Sequence, residues 1–321
     1  MLARMLASAV IIISAFAQDG QRVEWKFKKS EPLRYRISQA SKQETKSGGV
    51  DVLLETKTEF LLKFDILDID ADGAATLSAQ YEAARATLKS PKATDISFDS
   101  TRPAREQDMN DPYVRMMAMV IGRKFTVRLN KRGEILSLGG ASAIVEEMLK
   151  ASAGVKGQQA LRDALMQTFG DDAMRRTIST FFHVVPEKNI KISDTWKSKE
   201  NLLMPDIGKI EFEHEYTVRR FENLNGDGCV RADLKIRPKL EVDAASPTAE
   251  KFEFKLVSGE GSGELLFSFG KGRSMKAVSK YKMEILATPK IPEGTPKIVG
   301  PAHNIFHVDT TIEWIDKDGK L

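Results

Sequence analysis

The sequence predicts an α+β fold: a predominantly antiparallel, curved β-sheet in two related halves with a helical insert. Three observations predict it. Long runs alternate apolar and polar residues with period two, the pattern of strands with one buried and one solvated face. The cleanest runs from Val230 to Val242. A second observation is a repeated turn, Asp68-Ile69-Asp70-Ala71-Asp72-Gly73 and Asn223-Leu224-Asn225-Gly226-Asp227-Gly228, each copy lying between two such runs. Thirdly, from about 140 to 186 alternation gives way to helix formers with a period near 3.6. These signals divide the chain into residues 1–17, a leader; 18–138, an N-terminal β-rich half; 139–187, the helical insert; and 188–321, a C-terminal β-rich half.

In the first half, Trp25–Phe27 and Leu33–Ser38 read as strands, and the polar stretch Ser41–Gly49 as a loop or hairpin connection. The long pair around the first turn follows. Asp111 as cap, Pro112 in the first turn and Gly122 past the end predict a helix over Tyr113–Ile121. Phe125, Val127 and Leu129 form a strand, with Asn130–Gly133 a turn and Ile135–Leu138 its partner. In the insert, Ile144, Met148 and Ala151 share one helix face, and Leu161, Leu165 and Phe169 another. A third helix holds Met174, Ile178 and Phe181-Phe182, and Pro186 stops it. In the last half, Trp196 sits in an extended approach. Strands follow at Phe212–Val218 and Val230–Val242. Further strands are expected at Phe252–Val257, Leu265–Phe269, Met275–Ile285 and Phe306–Ile315, with glycines between them.

The repeated turn resembles the opening of a calcium loop, in which a bidentate Glu at position twelve completes the cation shell. Here that position holds Ala79 in one copy and Leu234 in the other. The flanks also alternate as strands do, so the motif reads as hairpin-turn chemistry. With the turns aligned, the apolar sets before them are one residue out of phase. A bulge in one hairpin would reconcile them.

Arg4, the apolar run Leu6–Phe16 and the small-x-small triplet Ala15-Phe16-Ala17 form a secretory leader, too short to span a membrane. The mature chain is therefore expected to be exported, periplasmic or extracellular, after cleavage near Ala17. Cys229 is the only cysteine, which excludes an internal disulfide and leaves stability to a packed core. Net charge is +4, with basic and acidic residues interspersed. That is not the concentrated basic stripe of a nucleic-acid binder, and no nucleic-acid partner is expected.

No nucleophile elbow and no paired-cysteine or His-Glu-x-x-His metal pattern occurs. Of the four histidines, His303 and His307 stand four apart, in what reads as a loop entering a strand. His214 lies on an apolar strand face and reads as a core histidine. The sequence implies no metal, cofactor or catalytic residue. Methionines at 116, 117, 119, 148, 166 and 174 are concentrated in or near the helices. They either seal the core or line a cavity for an apolar ligand. A ligand cavity would lie between sheet and helices, near Met116, Met119, Phe181 and His214. The expected role is that of an exported, noncatalytic binding protein for an apolar or lipid-like small molecule. The alternatives are a structural or protein-interaction component of the cell envelope and an unrecognised hydrolase.

Several segments taken together carry a resemblance: the leader, Leu33-Arg34-Tyr35-Arg36, the Asp-Gly hairpin, Gly122–Ile135, Phe182–Trp196 and the closing Gly-x-Gly strands. The chain resembles a family of uncharacterised exported bacterial β-rich proteins with no assigned activity. More loosely, the architecture is similar to that of periplasmic lipoprotein carriers, where helices cover a curved antiparallel sheet. The resemblance implies a scaffold and lends lipid binding some weight, and it brings no catalytic residues.

Overall fold

The computed structural model describes residues 20–91, 95–103, 112–151, 158–204, 207–290 and 300–315. The leader, its cleavage point at Ala17 and the cap residue Asp111 lie outside them. Among the described residues, twelve strands form one antiparallel, curved, open sheet. The first half supplies β1 (Leu33–Ser47), β2 (Val50–Ile69), β3 (Ala75–Lys89), β4 (Ile96–Asp99), β5 (Lys124–Leu129) and β6 (Ile135–Gly139). The last half supplies β7 (Thr195–Met204), β8 (Gly208–Leu224), β9 (Asp227–Val242), β10 (Phe252–Ser268), β11 (Arg273–Pro289) and β12 (Ala302–Trp314). Both halves are meanders. They meet where β1 pairs with β12, giving the order β6-β5-β3-β2-β1-β12-β11-β10-β9-β8-β7, with β4 beside β3.

The helices are α1 (Pro112–Val120), α2 (Ala141–Ala151), α3 (Gln158–Phe169), α4 (Asp171–Ser179) and the short α5 (Pro247–Lys251). Val114 and Met117 of α1, Val145 and Met148 of α2, and Met174 and Ile178 of α4 share one core with the inner face of the sheet. Met117, Met148 and Met174 are buried there, and the Tyr81 hydroxyl donates to the Met174 Sδ at 3.6 Å. Helix α4 touches both edge strands, β6 and β7, and so bridges the open edges of the sheet.

The two repeated motifs both form hairpins, flanked by strands rather than helices. In the first, Asp70 accepts from the Ala74 amide and its carboxylate also takes Arg128 Nη2 at 2.6 Å. In the second, Asn225 and Gly226 take φ of 52° and 88°, a two-residue turn with both residues left-handed. That geometry suits Asn-Gly and matches the twist of the flanking strands. The loops thus differ in length. Each hairpin carries one bulge between its apolar set and its turn, at Ile66/Asp68 and at Val218/Arg220, so the bulges cancel and the phase difference comes from the loops, residues 70–74 against 225–226. The hairpins also stand at different distances from the β1–β12 seam. The motif repeats because Asx-Gly chemistry is a local solution to a tight turn.

Several elements depart from expectation. Ser41–Ser47 continues β1, and only Gly48 and Gly49 form the turn. This stretch pairs on both sides, with β2 and β12, although it lacks apolar alternation. Trp25–Phe27 is not a ladder strand. It belongs to an extended strap, where the Trp25 amide donates to Lys131 O and the Lys26 amide to Gly272 O. The strands expected at Phe252–Val257 and Leu265–Phe269 are one strand, β10. Gly259, Gly261 and Gly263 lie inside it, paired with β11 at Met283, Tyr281 and Ser279.

His303 and His307 both lie within β12, the first already inside the strand rather than in a loop. Strand spacing puts them on one face but roughly 13 Å apart, too far to share a metal ion. His303 Nδ1 instead meets Glu284 Oε1 at 2.7 Å. Cys229 is buried in β9, and burial pushes its thiol pKa up, the behaviour of an inert core thiol.

Candidate functional site

Period-two alternation in β7 sends Trp196, Ser198, Glu200 and Leu202 to one face. Their register partners in β8 are Tyr216, His214, Phe212 and Ile210. Residues directly opposite in an antiparallel pair point to the same side, so these eight form one inner patch. The row continues across the sheet. His214 stands opposite Ile236, then Gly261, then Tyr281. The next row passes from Tyr216 through Leu234, Gly263, Ser279 and Thr310 to Gln39.

Glycine at 259, 261 and 263 leaves no side chain on the inner face of β10 over that stretch. A Cβ at Gly261 would stand 2.6 Å from both Lys280 O and the Tyr281 Cβ, and 3.1 Å from the Ile236 Cβ. The backbone is therefore packed directly under its neighbours. Above it, the rings of Phe212 on β8 and Tyr281 on β11 meet at 5.2 Å between centroids. Two intervening strands normally hold such residues well apart, at nearly 5 Å per strand. The glycine strip lets the sheet bend sharply enough to bring them together.

Over this bend lies a cavity of about 830 Å³. Its floor is apolar at Ile37, Leu234, Ile236, Leu265 and Ile312. Residues Arg176, Thr177 and Ser179 of α4 and the following Thr180 cover it, together with Phe182 and His183. Two indoles fix that cover. Trp25 Nε1 donates to His183 O at 3.1 Å, and Trp196 Nε1 donates to Val184 O at 2.8 Å. One indole comes from the strap and the other from β7, so consecutive carbonyls are clamped by two segments far apart in sequence.

One end of the cavity is polar but carries little fixed charge. Burial raises the Glu200 pKa to about 7; a hydrogen bond from Ser179 and the field of Arg176 oppose the shift. No ion pair involves Glu200 among the described residues. Burial lowers His183 to about 3, helped by nearby His214, and lowers His214 to about 4. His183 Nδ1 and the Tyr216 hydroxyl are 3.1 Å apart, whereas the buried His183 Nε2 has no partner among the described residues. Burial also raises Tyr216, and raises Tyr281 to about 12. At the mouth, Arg132 pairs with Glu134 and Glu187, and Lys197 with Glu213 and Glu215.

These groups give stability opposite pH dependences. The folded pKa values of the two histidines lie below the ordinary 6.5, so their contribution is full above that pH and is lost as pH falls through the folded values. The folded pKa of Glu200 lies above the ordinary 4.5, so its contribution is full below 4.5 and is lost as pH rises through about 7. Between 4.5 and 6.5 two protons oppose one. Stability should therefore fall on acidification by about 1.4 kcal/mol per pH unit. Urea unfolding at several pH values in that window measures the slope. His214→Asn should flatten it, and a flat parent profile would overturn the assignment.

Of the residues singled out from sequence, His214 borders the cavity. Phe181 lies fully buried beside it, against Tyr35 and Phe64 at 5.8 and 5.9 Å. Met119 packs partly buried against the core. Met116 lies in α1, and its side chain is outside the described residues. Glu200, Ser198, Tyr281 and His183 were not singled out. For Ser198 and Glu200 the available signal is the alternation of Trp196, Ser198, Glu200 and Leu202 against Lys197 and Lys199, a pattern that places them on an inner face once the segment is known to be a strand.

No curated protein matches this chain. Three solved structures with some likeness are DynF from the dynemicin biosynthesis pathway of Micromonospora chersina, OpdQ of Pseudomonas aeruginosa, and a DUF1329 family protein from Desulfovibrio piger. DynF is 8% identical over 99% of this chain and 95% of its own, with a TM-score of 0.18. OpdQ is 4% identical over 90% and 100%, with a TM-score of 0.23. The DUF1329 protein is 8% identical over 89% and 87%, with a TM-score of 0.14. Superpositions this loose transfer neither fold nor function. A family model described as a family of unknown function, DUF6263, matches residues 72–254.

Proposed function

The chain belongs to DUF6263, a family of unknown function, and from the geometry of its cavity we propose that it is an exported, noncatalytic carrier of an amphiphilic small molecule. One observation carries the reading: a cavity of about 830 Å³, floored by apolar side chains of the curved sheet and polar at one end. That volume is in the range that encloses small molecules of drug or lipid-chain size. Export is supported by the leader Met1–Ala17 in the sequence. A noncatalytic role is supported by the arrangement of ionisable groups. Of the carboxylates bordering the cavity, Glu134 and Glu264 are held by Arg132 and Arg231. Glu200 is left without a second acid or a charged base to share proton transfer.

Native mass spectrometry of the mature protein, purified from the exported fraction of its own host, tests this reading. The expected result is a complex heavier than the polypeptide by one lipid-sized mass, released on denaturation. Bare polypeptide alone, together with no uptake of added amphiphiles, would overturn it.

A further inference from the structure

The polar end of the cavity has a composition that discriminates among amphiphiles. Resting on the carrier reading above, we propose that this end receives an alkylammonium head group, with Glu200 as counter-charge and the rings of Phe212, Tyr216 and Tyr281 as its walls. The apolar tail would lie along the floor towards Ile37 and Ile312.

Three observations support the choice. Glu200 is placed by register beside Phe212, and its charge bears electrostatically on both Tyr216 and Tyr281. Two ring pairs converge there: Trp196 stacks on Tyr216 at 4.8 Å and 8°, and Phe212 meets Tyr281 at 5.2 Å. Aromatic rings around a desolvated site attract cations through their quadrupoles, and a carboxylate adds the full opposite charge. Thirdly, the carboxylate has no ion-pair partner among the described residues. A buried acid without a cation costs free energy when it ionises, and a cationic ligand removes that cost.

Of the other groups facing Glu200, Arg176 alone is a cation at neutral pH, and it makes no ion pair with Glu200 among the described residues. From β7 and β8 they are Ser198, His214 and Tyr216, and from β11 Tyr281. From α4 they are Ser179 and Arg176, followed by His183. Both histidines are held neutral by burial. The Arg176 Nη2 is directed to Gln167 O at 3.5 Å. An anionic head would meet neutral imidazoles and a carboxylate, with Arg176 as its one cation, while Arg132 and Lys197 at the mouth are already paired.

The test is calorimetric titration of the full mature chain with three ten-carbon amphiphiles below their micellar concentrations: decyltrimethylammonium, decyl maltoside and decyl sulfate. The ammonium compound is expected to bind about tenfold more tightly than the neutral one. Its affinity should rise with pH as Glu200 ionises through about pH 7, with release of a proton read from two buffers of different ionisation enthalpy. Glu200→Gln should erase the preference for the ammonium compound over decyl maltoside. Equal binding of all three, or tighter binding of the sulfate, overturns the head-group assignment and leaves the carrier reading standing. No binding of any of them overturns both.

Discussion

Gly261→Leu should deprive the chain of its native core rather than trim its stability. The added side chain has no outward escape, because its Cβ alone would sit 2.6 Å from Lys280 O. Backbone cannot move aside as the end of a flexible side chain does, so β10 must separate from β11 or the bend must relax. Either response parts Phe212 from Tyr281 and opens the cavity floor. Overpacking in a filled core costs about 1–3 kcal/mol when side chains can adjust, and here backbone must adjust, so loss of the cooperative transition is the expected outcome. Urea unfolding followed by near-ultraviolet circular dichroism measures it. A variant within about 0.5 kcal/mol of the parent would show that the glycines do not set the curvature.

The second large effect belongs to Trp25→Ala. Trp25 is 1% exposed and contacts Phe182 and Phe267 at 4.9 and 5.3 Å between centroids. Its loss leaves a cavity the size of an indole, worth about 3–5 kcal/mol. The truncation also frees His183 O from its hydrogen bond. The strap that Trp25 anchors joins the β5–β6 turn at Lys131 to the β10–β11 turn at Gly272. Both the core and the brace between the two meanders are therefore weakened together. Trp25→Phe separates the contributions: it keeps most of the ring contact and removes the N–H donor, so its smaller loss should be about 1–3 kcal/mol. If Trp25→Ala unfolded no earlier in urea than Trp25→Phe, the indole would be only a surface cover.

The β-rich class was legible because burial on one face writes period two into the chain, as in Val230–Val242. The helices were legible for the corresponding reason at Met148, Leu165 and Ile178. Legibility failed where the structure does not bury a side chain. Residues 41–47 pair on both edges with little apolar burial, so their strand left no alternation to read. The glycines of β10 looked like breaks because a glycine inside a strand and a glycine ending one are the same letter. What separates them is the neighbour that fills the missing Cβ. His214 was visible as a polar residue on an apolar face. Glu200 was equally out of place on its own face, but that face could be recognised only once Trp196–Met204 was known to be a strand.

The seam between β1 and β12 has a consequence for how the molecule is assembled. Tyr35 pairs with Trp314, so the sheet's central contact joins its first strand to its last. Each meander can form from neighbouring hairpins as it emerges, but each would then present an unpaired edge until the last strand arrives. Closing that seam is a late event of high contact order, slowed by the loop entropy of nearly the whole chain. A polypeptide wired this way cannot finish its sheet before β12 is available to pair. Its half-built sheets are open to mispairing in the interval. Shortening the chain by β12 would leave two long exposed edges where the intact molecule has its centre.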